Sequence, residues 1–496
     1  MSILETEATT FVNDGDDGEA VAALAVAFER QRAAFASERV PTLAVRRERL
    51  EALIGMMLAN RQRISAAIAE DFGAHPVPAS DLIEVLGVVG RAQYVLAHLV
   101  DWTKPDPREV DAAMGTAHAY ISYQPKGVIG NIVPWNFPFD LSVGPLTEML
   151  AAGNRVIIKP SEFTPACAAL LAEMIAATFD PGLVHVVIGG RPLAEAFAAT
   201  PWDHLLYTGS PAVGRLVMAA AAANLTPVTL ELGGKCPAVM TPGSVTAANV
   251  ESVIGTKTIK NGQMCVSVDY ALVPRGEVEA FIGHAQDYMR RAVPDYAKGA
   301  DCTGIVSPRH LARMVGLLEE AKERQTRIVT LEDGGVIDPE TRRMPLSLII
   351  DPAADLRMMA EEIFGPLLPV VPYDDLANAV ARINAGERPL GLYVFGDDTS
   401  VTDRVLAATS SGGAAINTCA VQSALPSMGF GGSGMSGMGR HHGIEGFREF
   451  SNPRGIFVRG QDDHLAAFYA PYAAAAALVE TALGGLDTAA VADRRR

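Results

Sequence analysis

The chain has 496 residues, 57 of them acidic and 41 basic, for a formal charge of −16. That length implies roughly two or three structural units of ~150 residues each, and 49% apolar with 20% charged residues excludes a disordered chain. An acidic balance without a large Lys/Arg cluster argues against a nucleic-acid partner, whose phosphates need clustered cations.

The first nineteen residues carry several acids and no apolar run, so they lack the form of a signal peptide. The densest apolar stretch, Ala473 to Val479, is too short to span a bilayer, and no membrane partner is expected. Five cysteines (Cys167, Cys236, Cys265, Cys302 and Cys419) show no CxxC spacing, which indicates neither a disulfide framework nor a zinc site. No metal is expected, and a reduced cytoplasmic compartment fits. The terminal Arg494–Arg496 read as a solvated tail.

Residues 18–73 read as helices, with Leu50, Leu53, Ile54, Met57 and Leu58 on one face. The Pro-rich WTKPDP from Trp102 to Pro107, with the polar run up to Ser122, suggests an extended arm. Short apolar runs then alternate with helical stretches. Gly127–Val133, Arg155–Lys159, Val184–Ile188, His204–Tyr207 and Val228–Leu232 predict strands. Leu141–Ala152, Pro165–Phe179, Pro192–Ala199 and Pro211–Ala222 predict the helices between them. The alternation points to a parallel sheet covered on both faces, with ligands beyond its carboxyl edge. A second αβ region spans about 233–432. The dense glycines from Gly429 to Gly439 predict close backbone packing, and the Ala-rich residues 461–496 read as helical.

Four segments carry residue types suited to chemistry. Thr208–Gly214 (TGSPAVG) follows a strand and opens a helix, a place where amides and the helix dipole meet an anion. A plain strand-to-helix turn is the favoured account of that segment taken alone, which lacks the GxGxxG form. Lys159-Pro160-Ser161-Glu162 ends another strand with a donor and an acceptor for ribose hydroxyls, or simply caps a helix. Glu231-Leu232-Gly233-Gly234-Lys235 offers a base for water, and Cys265, after Gly262-Gln263-Met264, is a candidate nucleophile. The other four cysteines read as small buried hydrophobes. Asn136, inside Pro134-Trp135-Asn136-Phe137-Pro138, offers a rigid amide donor suited to an oxyanion.

In order, PWNFP, KPSE, TGSPAVG, ELGGK, GQMC and EEIFGP (Glu361 to Pro366) resemble the NAD(P)-dependent aldehyde dehydrogenase superfamily, over residues 20–460. The resemblance implies an α/β fold: a Rossmann-type nucleotide-binding domain, an α/β catalytic domain and a small β oligomerisation arm. It places the nucleotide domain at 1–105 and 124–232 and the catalytic domain at 233–432. The arm and its return segment fall at 106–123 and 433–460, and a C-terminal tail at 461–496. It also implies that Cys265 attacks the aldehyde, that Asn136 and the Cys265 amide hold the oxyanion, and that Glu231 activates the hydrolytic water. The implied cofactor residues are Trp135, Lys159, Glu162, Gly209, Ser210, Leu232, Glu362 and Phe364, with NAD as cofactor and NADP as the alternative.

ERQRAAF near residue 29, VDYALVP after Cys265, GMGRHHGIEGF from Gly437 to Phe447 and a tail with Tyr469 and Tyr472 are similar to the class 3 and coniferyl-aldehyde branch. That branch implies aromatic, cinnamyl-type or medium-to-long aliphatic aldehydes as small-molecule substrates and a homodimer, with a tetramer as the alternative. CoA-acylating and inactive relatives are the competing readings. The first commonly lacks the hydrolytic glutamate present here as Glu231, and the second predicts loss of Cys265, Asn136 or Glu231. Where the family often has PFGG, this chain has Gly429-Phe430-Gly431-Gly432, and Gly144 replaces a bulkier side chain of some relatives. His441 and His442 are adjacent, so they are expected to face different ways, in surface or packing roles.

Overall fold

The alternation of short apolar runs and helical stretches after residue 126 folds as its pattern predicts. The computed structural model describes residues 17–484; the leader reading of the extreme N-terminus and the terminal arginines lie outside the described residues. Five strands, β1 (Val128–Ile132), β2 (Arg155–Lys159), β3 (Val184–Val186), β4 (His204–Gly209) and β5 (Val228–Leu232), pair in parallel in the order β3-β2-β1-β4-β5. The helices between them are Asp140–Ala152, Pro165–Thr178, Arg191–Ala199 and Pro211–Ala222. Every residue of β1 and β2 is buried, as expected of strands covered on both faces. One side of the sheet closes over Ile157, Phe197, Trp202, Leu205 and Leu230. The strand order reverses between β1 and β4, which makes the space beyond their carboxyl ends the ligand crevice of an open α/β sheet.

After β5 the chain passes through Gly233 and Gly234 into a second sheet. Its strands are β6 (Pro237–Met240), β7 (Tyr270–Pro274), β8 (Arg327–Thr330), β9 (Ser347–Ile350), β10 (Leu367–Tyr373), β11 (Gly391–Phe395) and β12 (Gly413–Ile416). They lie in the order β8-β9-β10-β7-β6-β11-β12, parallel except for β8.

The chain divides into two units. The larger holds both sheets, within Pro125–Ser451 together with the chain up to Trp102. The smaller holds Thr103–Gln124 and the chain from Asn452 onward. Its three-stranded sheet has the order Asp106–Arg108, His118–Pro125, Ser451–Val458. Its helix Ala473–Gly484 buries none of its residues.

Two local expectations need correction. In the helix Leu43–Ala59, Leu58 is exposed and Met56 is buried instead, because the buried stripe runs through Arg46, Leu50, Leu53 and Met57. Adjacent His441 and His442 do share an environment. Their rings stack at 4.6 Å against Arg91, because His442 has φ +75°, which turns the chain between them. The packing role stands. The helical run Val77–Trp102, whose middle Ser80–Gly87 is a π-helix, is long and apolar enough to cross a membrane by length and composition, with 44% of its most apolar window buried.

The glycine-rich segment closes on itself and on β5. Gly437–Met438 pairs antiparallel with Leu230–Glu231, and Gly437 has φ +139°. A Cβ there would collide with the Leu230 carbonyl oxygen. Gly437→Ala therefore both strains the backbone and pushes it off the strand that carries Glu231. The expected outcome in a thermal melt is a midpoint several degrees below wild type.

Candidate active site

Cys265 stands in a turn that the preceding residues force. Lys260, Asn261 and Gly262 all have φ between +47° and +76°, a left-handed run that reverses the chain after the helix Ala247–Thr258. Side-chain bonds hold the run in place. The Asn261 amide donates to Met344 O at 3.1 Å, and its carbonyl accepts from Tyr296 OH at 3.2 Å. Buried Gln263 donates to Lys260 O and Gly304 O and accepts from the Val306 amide. A Cβ on Gly262 would meet the Gly365 carbonyl, so only glycine lets this turn touch the EEIFGP segment. Cys265 is half-buried, whereas the other four cysteines are buried, in line with their reading as packing residues. The Cys236 thiol donates to the Cys265 carbonyl at 3.4 Å and braces the nucleophile's backbone.

Glu231 lies near the carboxyl end of β5 and is 1% exposed, and neither carboxylate oxygen has a hydrogen bond of ordinary geometry. Burial pushes its carboxyl well above the usual range, and the Arg440 charge and the Gly432 amide offset this only in part. The Cys265 thiol is likewise held protonated, first by burial and then by the charges of Glu231 and Glu362. Glu231 and Glu362 are thus both within electrostatic reach of that thiol. Asn136 is buried just beyond β1, and no hydrogen bond between its side-chain amide and the described residues is observed. Its neighbour Trp135 packs edge-on against His310 and Phe364, at 5.1 and 5.2 Å between ring centroids.

The other predicted residues gather at the strand ends. Lys159 closes β2, is buried, and bonds Glu162 at 3.0 Å. Gly209 ends β4, where a Cβ would strike the Tyr207 ring. Ser210 is the N-cap of Pro211–Ala222, its hydroxyl accepting from the Val213 amide. Leu232 ends β5, and a Cβ on Gly214 would meet its side chain. Glu362 lies against Gly233, where a Cβ would fill the carboxylate's place, and burial with the nearby Asp269 charge pushes its carboxyl up to about 8.

Sequence reasoning missed the braces. Lys235 Nζ binds the Asp269 carboxylate and donates to Met358 O and Glu361 O at 2.8 and 2.9 Å. Asp269 also accepts from the Ile363 amide. Arg313 donates to Ile363 O at 2.7 Å and Glu362 O at 2.6 Å. Together they hold the segment in which Phe364 adopts φ +52°. The lysine of ELGGK was a visible signal; Arg313, in mid-helix, left none.

The donor set fits a nicotinamide dinucleotide. The helix N-terminus at Ser210 sits at the strand-order reversal and suits a pyrophosphate, while Lys159, Glu162 and Glu362 suit ribose hydroxyls.

This fold and site define the class. The family model for the aldehyde dehydrogenase family matches residues 6–456. The chain is 40% identical to a probable coniferyl aldehyde dehydrogenase of Caulobacter vibrioides, over 88% of this chain and 91% of that one. It is 36% identical to the dimeric NADP-preferring aldehyde dehydrogenase of Rattus norvegicus, over 87% and 93% of the two chains. The structure of Staphylococcus aureus AldH in a substrate-bound state superposes with a TM-score of 0.87 at 31% identity, covering 93% of this chain and 99% of that one. The chain belongs to the aldehyde dehydrogenase family, in the branch of the coniferyl aldehyde and class 3 enzymes. It is an NAD(P)-dependent aldehyde oxidoreductase.

A raised folded-state value means the Glu362 carboxyl opposes folding once it ionises. That opposition is absent below the ordinary range near 4.5 and complete above about 8. Glu362→Gln should therefore match the wild-type thermal midpoint near pH 4.5 and exceed it increasingly as the pH rises through 8.

Proposed function

We propose that the chain oxidises an aldehyde to its carboxylic acid through a thioester on Cys265, with NAD as cofactor. The observation that carries this reading is a buried Glu231 carboxylate without a hydrogen-bond partner whose charge reaches the half-buried Cys265 thiol. Cys265, half-exposed, passes its thiol proton to solvent water as its sulfur attacks the carbonyl carbon, giving the oxyanion of a thiohemiacetal. The Asn136 side-chain amide and the Cys265 backbone amide hold the developing oxyanion. When bound, the nicotinamide supplies the hydride acceptor for this reaction. Collapse of the oxyanion leaves the thioester on Cys265. Glu231, ionised, takes a proton from water, whose oxygen attacks the thioester carbon and releases the acid and the thiol.

Lys159 and Glu162 hold the adenosine ribose, Gly209 and Ser210 the pyrophosphate, Glu362 the nicotinamide ribose, and Trp135, Leu232 and Phe364 line the cleft. Glu162 repels a 2′-phosphate and accepts from a 2′-hydroxyl, which favours NAD over NADP. The parallel sheet β1–β5 serves as the nucleotide-binding layer and β6–β12 as the catalytic layer. Aromatic or cinnamyl-type aldehydes such as coniferyl aldehyde are the proposed substrates, supported by the Caulobacter vibrioides relative.

The protein works as a cytoplasmic homodimer. Ser451–Val458 is a sheet edge with exposed Phe457 and Val458, suited to pairing with a second copy. Light scattering at micromolar concentration should give twice the chain mass.

The decisive assay follows NADH with a panel of aromatic, cinnamyl-type and straight-chain aldehydes, without CoA. Cys265→Ala should abolish turnover, and Asn136→Ala should lower kcat by on the order of 10²–10³-fold. Glu231→Gln should give one burst of NADH per active site and then stall, because the acyl-enzyme forms and is not hydrolysed. Steady turnover by Glu231→Gln would remove the hydrolytic role, and turnover that requires CoA would replace the reading with acyl transfer.

A further inference from the structure

The nucleophile and the oxyanion donor come from different layers: Cys265 from the turn before β7, Asn136 from the loop after β1. One side chain joins them. Lys260 opens the left-handed run that carries Cys265, with φ +47° and ψ +30°. From there its Nζ donates to the Asn136 carbonyl at 2.7 Å and to Glu84 Oε1 at 2.6 Å. The Lys260 and Glu84 side chains are both fully buried. The other Glu84 oxygen accepts from the Phe139 and Asp140 amides, each at 2.9 Å, at the start of the helix that follows the Asn136 loop. Glu84 reaches this place from the π-helix Ser80–Gly87, the kind of distortion that recurs at functional sites. The rings of Phe72 and Phe137 lie 4.7 and 4.6 Å from the ammonium and exclude water around it.

We propose that Lys260 is a positioning residue for the aldehyde reaction. Its backbone aims Cys265 while its ammonium fixes the loop of Asn136, so one residue sets the separation between the attacking sulfur and the oxyanion donor. The ammonium touches neither substrate nor cofactor in this role. Glu84 supplies the counter-charge that lets a cation stand in a dry site and ties the same loop from its other end. The inference rests on the roles given above to Cys265 and Asn136.

Removing Lys260 alone leaves the Glu84 charge buried and unpaired, which destabilises any protein. The informative variant is therefore Lys260→Met combined with Glu84→Gln. It removes both charges, keeps an acceptor for the Phe139 and Asp140 amides, and loses the donor to the Asn136 carbonyl. With NAD and the best aldehyde of the panel, kcat should fall about 10²-fold, the loss expected when a reacting geometry shifts by about 1 Å. The dissociation constant for NADH and the thermal midpoint should stay close to wild type.

A structural role would not distinguish backgrounds, so the same pair is also placed on Asn136→Ala. If Lys260 acts through Asn136, the added loss there should be under about threefold. Wild-type kcat in the paired variant, or an undiminished loss on Asn136→Ala, overturns the proposal. If the paired variant does not fold, Lys260→Arg, which keeps the charge and displaces the donor, enters the same cycle with the same two criteria. Activity surviving in Cys265→Ala would instead overturn the assignment of the site itself.

Discussion

A buried carboxyl whose charge reaches a half-buried thiol sets the terms for the rest of this molecule. Both Glu231 and Cys265 are held in their neutral forms by burial, and the Glu231 charge further disfavours the thiolate. Neither can work as an anion until the surroundings offer something to balance it, so the scaffold must keep every dipole and donor near the pair in a fixed place. The observed construction does this with backbone. The strand that carries Glu231 is locked by Gly437–Met438 on one side and β4 on the other. The turn that carries Cys265 is bonded through Asn261 and Gln263 to segments far away in sequence.

Glycine at close approaches is the second element of that construction. At Gly262 against Gly365 and Gly437 against Leu230 backbone meets backbone without room for a methyl group, and Gly233 leaves room for the Glu362 carboxylate. Each brings one part of the site against another: nucleophile turn to EEIFGP segment, β5 exit to Glu362, glycine-rich segment to the Glu231 strand. Their common effect is that the site's geometry is set by backbone packing, which yields little. Lys235, Asp269 and Arg313 then hold the one strained residue of the EEIFGP segment, Phe364, from three directions.

Much of this was legible in the sequence. The strands of the first sheet were readable because buried parallel strands are short unbroken apolar runs, and Arg155–Lys159 and Val228–Leu232 appear at the bounds read from them. The motif residues were legible as types suited to chemistry, and their gathering at strand ends follows from the parallel topology. What escaped was contact across layers. Lys260 sits beside an Asn-Gly pair, a turn signal, but nothing local said that its ammonium would cross to the Asn136 loop. Glu84 lies in an apolar helical stretch, and a π-helix departs from the 3.6-residue period by which a buried face is read. His441 and His442 misled for the opposite reason: alternation holds only for regular backbone, and His442 is not regular.

Lys260 and Asn261 also raise a question of compromise. Left-handed backbone at a side chain that is not glycine costs about 1–2 kcal/mol, and here two such residues stand in a row before Gly262. Glycine at position 260 would relax that cost and would delete the ammonium with it. That change would also leave the Glu84 charge buried and unpaired, a larger cost than the strain it relieves, so the ion pair holds the strained turn in place. In this chain the ammonium that keeps position 260 in its strained turn is the one that joins the two halves of the reaction centre, so stability and rate are held by the same residue.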